Sequence, residues 1–240
     1  MDLVSYLRAK KTVDDRALNS RVMTAFLDAL PVDGHVVELG AGIGTMLERL
    51  PPVRRYTCVD RSADALARVS GAETWCGDAA DFLEQCEPFD ACVANAFLDL
   101  VDLEAFLPRL FAKLNGPFWF TINFDGESIF EPPDPHDAAI WTPYHASMDA
   151  REGSSTTGRR LLTAIPRHGA RIEAAGSSDW VVLPPYPAME AEFLHNIVDT
   201  VEDELAGLDV LKGWVARRRA QVQGQELVYI AHQLDVFGIA

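Results

Sequence analysis

Apolar and polar positions along this chain follow two periods, and the switches between them predict most of its elements. Residues 1–30 read as a helical segment: Thr12-Val13-Asp14-Asp15 starts a pattern continued by Leu18, Val22, Phe26 and Leu30 at helical spacing. Val32-Asp33-Gly34 turns into a short apolar strand over 35–39. A helical pattern begins at Met46 and stops at Leu50, before Pro51-Pro52. Strands follow at 56–60 and 73–76, with a helix from Ser62 to Val69 between them. A fourth strand spans Phe89 to Asn95, apolar on both faces as in a covered parallel sheet. Leu103 to Leu114 is a helix ended by Asn115-Gly116, and Phe118 to Phe124 a fifth strand. Strand and helix alternate throughout this stretch, which is the signature of an α/β fold with a doubly wound sheet.

The alternation breaks after Phe124. Residues 125–158 hold Pro132-Pro133, Pro135 and Pro143 and read as a long connection, although Phe130, Trp141 and Tyr144 argue against plain disorder. Further on, Arg159–Ile165 reads as helix, 172–175 and 179–183 as extended, 186–205 and 210–222 as helices, and 226–236 as a last strand.

The punctuation after the first strand is the most specific chemical signal. Glu38 closes the strand, and Gly40, Gly42 and Gly44 follow around Ala41, ahead of the predicted helix at Met46. Glycine lets the backbone turn sharply and lie close to a ligand, and a helix start offers free N–H groups to it. A dinucleotide fingerprint would need glycine where the chain has Thr45. An acid followed by G-x-G-x-G instead resembles motif I of the class I S-adenosylmethionine (SAM)-dependent methyltransferases.

The resemblance runs from Val32 to Phe124 and again near the last strands. It implies a Rossmann-like, mostly parallel sheet of seven strands with helices on both faces. The last strand, 226–236, would be antiparallel and inserted between the fifth and sixth. It also implies a cofactor, SAM, leaving as S-adenosylhomocysteine, held at the carboxyl ends of the strands. Glu38, Gly40, Ala41, Gly42 and Gly44 would serve the methionyl end. Asp60, with Arg61 beside it, would accept the ribose hydroxyls, since an ionised acid only accepts. Asp78 and Ala79 would meet the adenine, and Asn95 with Ala96 would lie near the sulfonium. Singly, Asp78 reads also as a helix cap and Glu38 as a carboxylate that shapes the turn; Asp60 could cap the next helix too, but Ser62 is the better cap and leaves it free.

Charge narrows the acceptor. The 240 residues carry 21 Lys and Arg against 36 Asp and Glu, a net charge of −15, which repels phosphate backbones. No Asn-Pro-Pro-Tyr-like element follows the fourth strand, which runs into Asn95-Ala96-Phe97-Leu98. The expectation is a small-molecule acceptor, no nucleic acid and no membrane, for a monomer or homodimer. No signal-peptide or membrane-span pattern appears, and Cys58, Cys76, Cys86 and Cys92 form no CxxC pair. These features favour a cytoplasmic protein, and the histidine spacings predict no metal.

The whole chain, 1–240, reads as one methyltransferase domain, with 125–158 and 184–222 as substrate-cap elements. Methyl transfer mainly needs alignment, and a base only if the acceptor must lose a proton. His145, Tyr144 and Asp125 are the candidate catalytic groups, each with an ordinary alternative as a loop or turn residue. Trp141, Trp180, Tyr186 and His195 are candidate acceptor contacts, with core packing or a helix pair as the plain alternative. Two other functions stay open: a SAM-fold enzyme with non-methylating chemistry, and a non-catalytic SAM-binding protein.

Overall fold

The computed structural model describes residues 2–187 and 189–240. Its centre is a mixed eight-stranded sheet ordered β3-β2-β1-β4-β5-β8-β6, with β7 also paired to β8. The strands are β1 (His35–Leu39), β2 (Arg55–Asp60), β3 (Glu73–Cys76), β4 (Ala91–Asn95), β5 (Pro117–Glu131), β6 (Arg171–Ser177), β7 (Trp180–Val182) and β8 (Val228–Ile239). β1 to β5 pair in parallel, and β8 runs antiparallel to β5, β6 and β7. The last strand is therefore antiparallel and lies between the fifth and sixth, as the resemblance implied. One strand more than the expected seven arises because the sixth breaks at Ser178-Asp179 into β6 and β7.

Period-two alternation sorts the strand residues onto two faces. Val37, Leu39, Cys92, Ala94, Phe118 and Phe120 face one cluster, covered by α4 (Ala79–Gln85), α5 (Leu103–Phe111) and α7 (Thr157–Arg167). Val36, Tyr56, Cys58, Val93 and Trp119 face the other, with Val22 and Phe26 of α2 (Ser20–Ala29).

A third cluster explains where the sequence reading goes astray. β5 does not stop at Phe124. Its register against β8 shifts after Phe120, where Ile122 takes φ +56° and donates its N–H to Asp235 at 2.8 Å. A second shift follows Phe124, and the strand then runs on to Glu131. Such bulges bend a strand. The bent half of β5, with β7 and β8, buries Ile122, Phe130, Trp180 and Tyr229 against α1 (Leu3–Ala17), α8 (Glu190–Glu204) and α9 (Leu211–Gln223). The expected 125–158 connection is thus a strand extension followed by α6 (Asp137–Asp149), which holds Pro143 inside it.

Three other expectations change. The N-terminal segment is two helices, because Asn19 leaves α1 to cap α2 (Val22 N–H to Oδ1, 3.2 Å) while its own N–H is held by Asp235. The helix expected to begin at Tyr186 begins at Glu190. No α-helix follows the glycine loop. Gly40, Gly42 and Gly44 all have positive φ, so the chain keeps turning and only one 3-10 turn, Leu47–Arg49, forms before Pro51.

Candidate functional site

The carboxyl ends of β3, β2, β1 and β4 open into one cavity of about 790 Å3. Gly40, Gly42, Asp60, Arg61, Asp78, Ala79, Asn95 and Ala96 line it. These eight come from four separate stretches of sequence, brought together because parallel strands put all their carboxyl ends on one edge.

Each polar group is held by local structure. Asp60 at the end of β2 accepts the Gly42 N–H and the Ser62 N–H, both at 2.8 Å. It therefore fixes the glycine loop directly, in place of the helix start the sequence suggested. Ser62 caps α3 (Ala63–Leu66) through the Ala65 N–H, which leaves Asp60 free of that duty. A carboxylate offers about four acceptor sites, so two remain for a ligand. Asp78 caps α4 through the Ala80 N–H at 2.7 Å and pairs with Arg61, whose guanidinium holds this carboxyl below its usual range. Asn95 is buried; its Oδ1 accepts from Thr121 at 2.8 Å and its amide donates to Asp14 at 3.2 Å. Ala96 then turns the chain with φ +50°, a conformation alanine rarely adopts and one often found at ligand sites.

Glu38, Ala41 and Gly44 sit behind the loop and are not in the cavity wall. Glu38 shares its face with Val36, away from the cavity, where Tyr56 donates to it at 2.7 Å. Burial pushes its carboxyl up to about 7. Ala41 donates to the Val59 carbonyl at 3.0 Å, and Gly44 faces Val69.

The cover over the strand ends is the main surprise. It comes from Leu3, Tyr6, Leu7 and Lys10 of α1 and from the segment Phe97–Arg109, with Glu152 at the wall. A Cβ on Gly42 would meet Leu7 at 2.8 Å, and one on Gly40 would meet Phe97 at 2.6 Å. Residues of α1 carry no motif, and only their amphipathic spacing hinted at burial.

The candidate catalytic and acceptor residues lie elsewhere; none of the seven is in the cavity wall. His145 stacks on Trp141 and contacts the Ser128 hydroxyl at 3.3 Å, and burial lowers its pKa. Tyr144 packs on the third cluster. Asp125 is tied to Arg159 at 2.7 Å. Trp180 donates its indole N–H to Asp14 at 2.8 Å, and the Tyr186 hydroxyl donates to the Leu227 carbonyl at 2.8 Å. His195 is half-buried on α8. Of the expected cap, Glu152 reaches the cavity wall, while Trp141, Tyr144, Phe193 and Trp214 pack in the third cluster.

No family model matches the chain. It is similar to a probable ribosomal RNA small subunit methyltransferase A from Haloquadratum walsbyi, 26% identical over 223 residues that span 88% of this chain and 67% of that protein. Among solved structures, the YcgJ protein from Bacillus subtilis superposes with a TM-score of 0.58 at 12% identity, over 92% of this chain and 98% of that one. The mycolic acid cyclopropane synthase CmaA1, solved with S-adenosylhomocysteine, gives 0.53 at 12% identity over 92% and 82%. The chain shares the Rossmann-like α/β fold of these structures.

Proposed function

We propose that this protein is a SAM-dependent methyltransferase that methylates O, N or C of a small molecule. One observation carries the reading: the glycine loop, Asp60, Asp78 and Asn95 stand at four adjacent strand ends around one cavity. The donor fits what is there. The volume lies within the roughly 300–1,000 Å3 of small-ligand sites. Asp60 keeps unused acceptor sites for hydroxyl groups, Asp78 stands beside it in the wall with its carboxylate paired to Arg61, and positive-φ glycines present bare backbone. When bound, SAM supplies a methyl group on a positively charged sulfur, already activated for in-line displacement.

The chain's own work is binding, alignment and exclusion of water. Asp60 and Asp78 orient the nucleoside end, and the glycine loop with Asn95 and Ala96 borders the amino-acid end. Tyr6, Leu7 and Phe106 give the cavity apolar walls, and Leu3 and Leu100, both exposed, mark its mouth. No histidine stands in the wall, so the reading does not depend on a histidine base.

The net charge of −15 and the sequence Asn95-Ala96-Phe97-Leu98 support a small acceptor over RNA, despite the ribosomal RNA methyltransferase likeness. The same reading takes 1–240 as one domain in a reducing cytoplasm, alone or as a homodimer, and the four free cysteines fit it. Calorimetric titration with S-adenosylhomocysteine tests the donor: micromolar binding is expected, and no heat from folded protein rejects it. Incubation with methyl-labelled SAM and a metabolite extract tests the acceptor: label should enter a small product. Binding without label transfer would favour a non-methylating role.

A further inference from the structure

Lys10 is 5% exposed, yet it lines the cavity. The other two basic residues in the wall, Arg61 and Arg109, are exposed and pair with Asp78 and Glu84. Among the described residues, Lys10 is the one buried cation there. Its ion-pair partner is Asp14 at 3.2 Å, and the ammonium also lies 5.5 Å from the centre of the Trp180 ring.

Asp14 does not belong to Lys10 alone. It also accepts from the Trp180 indole at 2.8 Å and the Asn95 amide at 3.2 Å. Three donors therefore share its charge. An ammonium has three N–H donors, and burying it is expensive unless they are matched. Asp14 is already shared, and the buried Asp99 acts on Lys10 only through its charge, so part of that demand is left over where Lys10 borders the cavity.

Position says which anion would answer the rest. Asp14 joins Lys10 to Asn95, so the ammonium sits at the β4 end. Strand order runs β3-β2-β1-β4, placing Asp78 at the far end and Asp60 between. A ligand with its nucleoside at Asp78 and Asp60 presents its amino-acid end to Gly40, Asn95 and Lys10.

We infer that Lys10, held by Asp14 at the β4 end of the cavity, binds the methionyl carboxylate of the donor. The inference rests on the proposed donor. It makes α1 part of the binding site through charge as well as cover, and it predicts discrimination against donor analogues that lack the carboxylate.

The test is calorimetric binding of SAM and of decarboxylated SAM, which differ only in that group, to the wild type, Lys10→Met and Lys10→Arg. The wild type should prefer SAM by tenfold or more. Lys10→Met should lose tenfold or more toward SAM and less than threefold toward the decarboxylated analogue, so that the two converge. Lys10→Arg should keep the preference. Equal wild-type affinity for both ligands overturns the inference without any variant, which guards against a Lys10→Met that does not fold. Equal losses for both ligands in a folded Lys10→Met also overturn it, because they mean a structural role. If the wild type binds neither ligand, the donor assignment fails as well, so the two failures are distinguishable.

Discussion

At the residue scale, Glu38 shows how a motif residue acquires a different job. Its place beside the glycines was legible in the sequence, but its direction was not. Strand parity sends it to the Tyr56 and Cys58 side, where burial raises its carboxyl from 4.5 to about 7. Raised pKa means that the folded protein holds this proton more tightly than the unfolded chain. Below about 4.5 both states are protonated and there is no penalty; above about 7 the buried carboxylate is ionised and the full cost applies. That gap corresponds to roughly 3 kcal/mol. Glu38→Gln, which can still accept from Tyr56, should therefore be more stable than wild type at pH 8, with the advantage fading by pH 5. Urea unfolding of both proteins at the two pH values measures it, and a pH-independent difference would contradict the assignment. His145 is a candidate base by sequence because imidazole titrates near working pH. Nothing in a sequence says whether a histidine meets a cavity, and this one, on α6, lies against Trp141. His145→Ala should leave methyl-transfer rates within about threefold of wild type; a hundredfold loss, typical of a removed acid or base, would restore it as a catalytic group.

At the element scale, β1, β2 and β4 were readable as short apolar runs, and polar residues at or just past the strand ends (Asp60, Asp78, Asn95) marked the rim of the sheet. What hid from the sequence were elements whose identity depends on distant partners. β5 continues past Phe124 only because β8 is there to pair with it, and α6 tolerates Pro143 within that packing. The glycine loop shows the opposite limit, where local chemistry overruled a periodic pattern: three positive-φ glycines removed the expected helix. Gly42 concentrates the demands of this loop, with φ +54°, its N–H on Asp60 and Leu7 of α1 against its bare Cα. Gly42→Val should cost about 1–3 kcal/mol from strain and weaken S-adenosylhomocysteine binding at least tenfold. Thermal unfolding and calorimetry separate the two effects. Gly71 also has positive φ, but nothing lies near its bare Cα. Gly71→Ala should cost stability alone and leave binding unchanged.

At the scale of the whole molecule, the surplus of acids bears on the proposed acceptor. A field of this sign should keep structured RNA away at physiological salt. A gel-shift titration of a small-subunit ribosomal RNA fragment in about 0.15 M salt should show no complex at low micromolar protein, within the range of ordinary nonspecific binding. Tight, saturable retention would move the acceptor toward nucleic acid. The cover of the cavity has a different consequence, one of timing. Leu7 and Lys10 precede the whole sheet in sequence, but α1 is secured by Trp180 and Glu190, through contacts that span 166 and 178 residues of chain. Closures over such separations come late in folding. A chain emerging from the ribosome would form the strand-end basin before it could roof it. During that interval the glycine loop would be open to solvent, and a ligand already seated there would have to wait for the C-terminal half to shut it in.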